Sequence, residues 1–186
     1  MTRVPYLARE DLDPAEQQAF DRILGGRGEV HSIYAQLLHS PELAARVSET
    51  GDYLLGRGGS NSVTANLVTR ETVVLAVARE TNCQYEWTIH EDKAREAGVR
   101  DVVVEGIKVR SKRGLLPQES ILIDFAKQTM HGKLNDPTFD ALEHLYGRRG
   151  TVEITILIGF TALICYCLTA FSPELPEGMS PLLPDA

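Results

Sequence analysis

Apolar positions along the chain recur at three- and four-residue spacings between short polar breaks, and no stretch alternates apolar with polar residues as a half-buried strand would. The pattern predicts an all-α bundle of about seven or eight helices. Asp13-Pro14, Ser40-Pro41 and Asp136-Pro137 each pair a capping side chain with a proline at the first helical position, where its missing N–H costs nothing. Leu116-Pro117 opens another helix, and Thr151 is placed to cap the last. Gly25, Gly56, Gly98 and Gly147 each follow a helical pattern and can adopt the left-handed cap conformation, so helices are expected to stop there. Residues 56–61, GRGGSN, read as a loop. Residues 172–186 carry four prolines in 15 positions and are expected to wrap the surface or a neighbouring subunit, leaving one domain over residues 1–171.

Composition agrees with one folded domain: 186 residues, 43% hydrophobic and 24% charged, are too apolar for a disordered chain. With 19 Lys and Arg against 26 Asp and Glu, and a net charge of -7, no surplus of positive charge remains for phosphates, which argues against nucleic acid as a partner. Cys83, Cys165 and Cys167 form no disulfide framework and the N-terminal residues contain no apolar signal core, so a reducing cytoplasm is expected. Ile154 to Phe171 is 18 residues without a charge, the lower edge of a membrane span. Its three threonines, two cysteines, glycine and tyrosine point instead to a buried helix or a subunit interface, with no membrane partner.

A weak internal repeat relates RETVVLAVARET at Arg70–Thr81 to QESILIDFAKQT at Gln118–Thr129, 48 positions on; two pseudo-equivalent helices and two unrelated amphipathic ones explain it equally well. Only the first copy leads into candidate chemistry. On a helical wheel Glu86, Trp87, His90, Ala94 and Ala97 fall within about 60° of Cys83. Gln84, Thr88, Glu91, Asp92 and Arg95 occupy the opposite, polar side, so the Cys83 face is expected to point inward. Glu71 lies on the preceding helix amid Leu67, Val68, Val74, Leu75 and Ala78, a face that carries it into the core, where His90 is its natural partner. Thr81 or Asn82 is expected to cap the second helix and leave Cys83 in its first turn, where the helix dipole favours a thiolate.

Each residue also has a plainer reading. Cys83 fits an inert core cysteine, Glu71 with His90 a structural ion pair, and Trp87 either core packing or a pocket wall. Glu86 and His90 have the spacing of metal ligands, but no further clustered ligand completes a site, so no metal is expected. His31, His39, His131 and His144 are expected to be structural or exposed. Arg70 and Arg79 are near enough to meet substrate carboxylates, although their wheel positions do not face inward.

At these residues the chain resembles the carboxymuconolactone decarboxylase family, which includes the alkylhydroperoxidase D type proteins. Glu71, Cys83, Glu86 and His90 fall in the register of the peroxidase branch's Glu, C-x-x-C and His, with Glu86 in place of the second cysteine. CQYEWTIH followed by AREAG is similar to the family's Y-E-W-x-x-H variant, and HSPELAAR and VEITILIGF extend the resemblance over nearly the whole chain. It implies an all-helical homo-oligomer, a trimer or hexamer, with active sites near subunit interfaces.

The missing cysteine separates two chemistries. A thiol peroxidase cycle needs a second thiol in reach, and Cys165 and Cys167 lie too far along the chain for the sequence to promise contact. With the inward face of Cys83, Glu86 and His90, the resemblance implies a cofactor-independent lyase or isomerase acting on a carboxylated lactone or related enolisable small molecule. His90 would be the general acid and base, oriented by Glu71; Glu86 would relay the proton or hold a substrate hydroxyl; Cys83 and Trp87 would line the pocket. The alternatives are a hydroperoxide reductase using Cys83 and a non-catalytic oligomeric binding protein.

Overall fold

A computed structural model describes residues 2–30 and 32–184. Eight α-helices occur among them: α1 Gln17–Arg27, α2 Ser32–Leu37, α3 Pro41–Leu54, α4 Leu67–Glu80, α5 Gln84–Glu96, α6 Asp101–Lys108, α7 Pro117–Met130 and α8 Asp136–Phe171. Three short 3-10 turns, Arg9–Asp11, Arg57–Gly59 and Val63–Ala65, lie between them, and the described residues contain no strand. His31 lies outside the described residues.

The proline pairs mark helix starts as expected, with local differences. Asp13 accepts from the N–H groups of Ala15 and Glu16, both at 2.9 Å, while the Glu16 carboxylate accepts from the Asp13 N–H at 3.2 Å, closing a reciprocal cap ahead of α1. Asn135, one residue before the expected position, caps α8 by accepting from the Thr138 N–H at 2.9 Å. Helix α1 runs through Gly25 and stops at Gly28, whose φ of 77° gives the left-handed turn. A glycine inside a helix is disfavoured by only about 1 kcal/mol, so Gly25 is a tolerated residue rather than a stop. Gly147, at φ 68° and ψ 171°, breaks α8 without ending it, and the Thr151 hydroxyl donates to the Gly147 carbonyl at 3.0 Å from inside the resumed helix instead of capping it.

Helix α4 is the hub. Every residue from Thr69 to Arg79 except Arg70 is buried, because α5, α6, α7 and α8 surround it. An amphipathic reading of α4 therefore misplaces its ends: Leu67 and Val68, expected in the core, are exposed. The two repeat segments become α4 and α7, each of 14 residues, packed on one another and on α8.

Three apolar clusters hold these elements. Ile23, Tyr34, Leu38, Ala44 and Leu168 form one beneath α1–α3, together with Cys83 and Cys165. Val73, Val77, Phe125, Leu142 and Ile158 form a second between α4, α7 and α8. The third joins α4, α5 and α6 through Leu75, Trp87, Val103 and Val104, and is closed by Leu183 from the tail. Full burial of each Val, Leu or Phe contributes roughly 1.5–3 kcal/mol. The apolar half of α8 supplies core residues on one side, while Val152, Ile156, Leu163 and Tyr166 remain exposed on the other.

The polar side of α5 differs from expectation. Thr88 and Glu91 are buried, not solvated. The tail crosses that side, with the Leu182 N–H donating to Thr88 Oγ1 at 3.3 Å and the Gln84 amide facing the Leu183 backbone. Glu91 accepts from the Trp87 indole N–H, from Arg95 at 3.0 Å and from Lys108 of α6 at 3.1 Å. A buried carboxylate with three donors is satisfied, so charge alone does not mark an exposed face.

Glu91→Ala strands the Trp87 N–H and the Lys108 ammonium. It is expected to destabilise the protein by roughly 2–3 kcal/mol, toward the low end for a broken buried ion pair because Lys108 and Arg95 keep partial access to water. Urea unfolding measures this, and a loss typical of a surface substitution, under about 0.5 kcal/mol, would refute a structural role for Glu91.

Candidate functional site

The junction between α4 and α5 places the first site residue. Thr81 ends α4 with its hydroxyl donating to the Val77 carbonyl at 2.8 Å, and the Asn82 side chain is taken by Arg79. Neither is free to cap α5. Asn82 adopts a left-handed φ of 49°, the chain turns sharply, and Cys83 itself becomes the N-cap, its N–H donating to the Ala78 carbonyl at 2.8 Å. The thiol thus sits one position earlier than expected, at the mouth of the helix rather than in its first turn.

Glu71 and His90 meet as the sequence suggested. His90 Nδ1 lies 2.6 Å from Glu71 Oε2, and Arg70 Nε donates to Glu71 Oε1 at 3.0 Å. Burial raises the Glu71 carboxyl, but the His90 hydrogen bond, the His90 charge and Arg70 more than offset this and hold it below the ordinary carboxylate value. An ionised Glu71 can only accept, so His90 donates from Nδ1 and its Nε2 is left facing away from Glu71. Nε2 points toward Glu86 Oε1 at 3.5 Å. The Glu71 side chain is almost fully enclosed, at 3% exposure, whereas His90 and Glu86 retain 19% and 13%. The line of contacts therefore runs from a dry end to a wet one.

Cys83 lies on the other side of Glu86, and here the fold supplies a residue that the sequence did not promise. Cys165, on the inward face of α8, packs against it: Cys83 Sγ is 3.8 Å from the Cys165 carbonyl oxygen, and both belong to one buried cluster. The Cys165 thiol and the Glu86 backbone N–H pull Cys83 below the ordinary thiol value, against burial and the Glu86 carboxylate. Interaction with Cys83, burial and the charge of Glu86 push Cys165 strongly up. Arg70, Glu71, His90, Glu86, Cys83 and Cys165 thus form one continuous line across α4, α5 and α8. Cys165 had a readable signal, since Ile158, Thr161, Ala162 and Leu168 recur with it at helical spacing, but that spacing names a face and not a partner. The distance along the chain, which promised no contact between Cys83 and Cys165, is thus closed by the fold.

The other candidates are placed elsewhere. Trp87 is fully buried on the Glu91 side of α5, beneath Lys108, and in this chain it is a core side chain rather than a wall beside His90. Arg79 is buried, contrary to its wheel position, with Nε donating to the Lys108 carbonyl at 2.8 Å. His39 contacts the Pro5 carbonyl, His131 pairs with Glu80, and His144 is exposed. Among the described residues, no three His, Cys, Asp or Glu side chains cluster as a metal site. A cleft of about 700 Å³ lies between α3 and α8, lined by residues that include Tyr53, Arg148, Arg149, Val152 and Ile156, and the Glu71–His90 line does not border it.

No family model matches the chain, and no curated protein does. Among solved structures it is similar to one described as an alkylhydroperoxidase AhpD core, an uncharacterized peroxidase-related protein from Ralstonia eutropha JMP134. The TM-score is 0.73 at 19% identity, over 95% of this chain and 93% of that one. The fold is alkylhydroperoxidase D-like. Within that fold, the α4–α5 junction of this chain presents Cys83, Glu86 and His90 along one helix, with Glu71 behind them.

The lowered Glu71 pKa sets the sign of a pH effect. A carboxyl that is more acidic when folded contributes stability that is fully present above the ordinary carboxylate range and is lost as pH falls through the lowered native value. Wild type is therefore expected to exceed Glu71→Gln by roughly 2 kcal/mol at neutral pH, with the difference vanishing in acid. Parallel urea titrations across that range measure it; a pH-independent gap would contradict an ionised Glu71.

Proposed function

We propose that this alkylhydroperoxidase D-like protein is a cofactor-independent lyase or isomerase that acts by proton transfer at His90 on a carboxylated lactone or related enolisable small molecule. The carrying observation is the 2.6 Å contact between His90 Nδ1 and the enclosed Glu71 carboxylate, which fixes the tautomer and leaves Nε2 at the partly open end beside Glu86. A histidine held in this way is a general acid and base whose working nitrogen faces the substrate side.

For a decarboxylation, the bond between the carboxylate carbon and its neighbour breaks, CO2 leaves, and the electron pair passes through the conjugated system onto a carbonyl oxygen as an enolate. Protonated His90 then delivers its Nε2 proton to carbon, and Glu71 stabilises the imidazolium present beforehand. An isomerase would use the same nitrogen to remove a proton from one carbon and return it to another. Glu86 is positioned to hold a substrate hydroxyl or to pass a proton to and from Nε2. Arg70 is committed to Glu71 and acts by holding that carboxylate in place.

The assembly belonging to this reading is a homo-oligomer, a trimer or hexamer, in which a second copy completes the substrate site. The exposed Val152, Ile156, Leu163 and Tyr166 side of α8 supports it, since a contiguous apolar helix side is the kind of surface that subunits cover.

The test is an ultraviolet assay of carboxymuconolactone decarboxylation by wild type, His90→Ala and Glu71→Gln. His90→Ala is expected to lose about 10²–10⁴-fold in kcat, the usual contribution of a positioned acid–base group, with Glu71→Gln falling in between. Turnover retained in both variants would sink the role assignment, and wild type inert toward this substrate and other enolisable carboxylates would sink the reading.

A further inference from the structure

A carboxylated substrate approaching His90 meets Glu71 and Glu86, two carboxylates that repel it, so the site needs a cation whose donors are not already taken. Arg70 is that cation. We propose that the Nη fork of Arg70 binds a carboxylate that the substrate keeps through the reaction, and so selects acids over their neutral counterparts. The inference rests on the proton-transfer reading for its substrate class and adds the group that recognises it.

Three observations carry it. Arg70 holds Glu71 through Nε alone, at 3.0 Å. A guanidinium has five N–H groups, and no described residue takes those on Nη1 and Nη2, although the side chain is only 15% exposed. Arg79, at the far end of α4, instead gives Nε to the Lys108 carbonyl and Nη1 to Asn82. An enclosed guanidinium with an idle fork is unusual, because buried donors are normally paired. Nor is the fork sealed in: the enclosed atoms without a partner are Gln36 Oε1 and Thr129 Oγ1, and neither Nη atom is among them, so a ligand can reach both. The second observation is position. Arg70 and His90 contact the two oxygens of one carboxylate, Oε1 and Oε2, so the fork and the imidazole are held in one frame with Glu71 between them. Finally, Leu67 lies one turn before Arg70 on the same side of α4 and is 49% exposed. An open apolar side chain beside a free guanidinium suits an acid with an apolar or lactone body.

Which carboxylate Arg70 takes follows from the chemistry. A carboxylate leaves as neutral CO2, so a guanidinium paired with it would stabilise the ground state more than the transition state and slow the loss. A carboxylate that stays keeps its charge throughout, and pairing with it contributes binding and orientation without opposing the reaction. Carboxymuconolactone has one of each. Planar, bidentate pairing puts the retained group on Nη1 and Nη2 and leaves the reacting carbons for His90.

The test is a titration of the full chain, followed by NMR, with muconolactone reduced at its ring double bond and with the methyl ester of that compound. The acid keeps the retained carboxylate but can be neither decarboxylated nor isomerised through the double bond, so binding is read without turnover. Wild type is expected to bind the acid at least about tenfold more tightly than the ester, as a charge-assisted pair allows, and Arg70→Gln is expected to bind the two alike. An acid preference absent from wild type, or one that survives in Arg70→Gln, would overturn the proposal. Survival of the preference while acid and ester both weaken by the same factor is the mark of an Arg70 that acts only by holding Glu71. The wild-type comparison needs no variant to fold. Turnover of carboxymuconolactone and other enolisable carboxylates is scored on the same preparations. An Arg70-dependent acid preference without turnover counts against the proton-transfer reading alone, and turnover without that preference counts against this inference alone.

Discussion

A carboxylate buried in a helix that is itself buried constrains the rest of this structure. Glu71 has almost no access to water and sits among Val, Leu and Ala side chains of α4, so it must be held by donors that arrive from the right direction. One is its neighbour Arg70. The other is His90, which reaches it only because α5 folds back along α4 at the Asn82 turn. The register of α5 against α4 is thereby tied to a polar contact as well as to packing, and everything else along α5 follows from that register: Glu86 one turn before His90, Cys83 at the helix mouth, and Trp87 turned toward α6.

Much of this was legible in the chain because local chemistry dictates it. Proline after a capping residue starts a helix whatever the surroundings, and the three- and four-residue spacing of Cys83, Glu86 and His90 survived as a shared helix side. What failed to read out was set by partners distant in sequence. Thr88 and Glu91 looked solvated since a wheel assigns faces by each residue's own polarity, while Lys108 and the tail that bury them come from elsewhere. Cys165 looked remote because its contact with Cys83 is made by α8 crossing behind α5. Gly25 looked like a stop because a sequence shows that glycine is permitted to turn and not whether it must.

Glu86 links the two ends of the site. It contributes its backbone N–H to Cys83, its charge reaches both thiols, and its carboxylate lies 3.5 Å from His90 Nε2. A carboxylate at this point therefore borders both the buried sulfurs and the imidazole.

The crossing of the tail over α5 has a consequence for the order in which the chain can be built. Leu183 fills the third core cluster beside Trp87, and the backbone at Leu182 and Leu183 meets Thr88 and Gln84. During synthesis all eight helices leave the ribosome before that segment does, so the nascent chain passes through a stage with complete secondary structure and one side of Trp87 still uncovered. Translation that stops short of Leu183 leaves apolar surface on display beside α5, the kind of signal by which chaperones and proteases recognise an unfinished molecule.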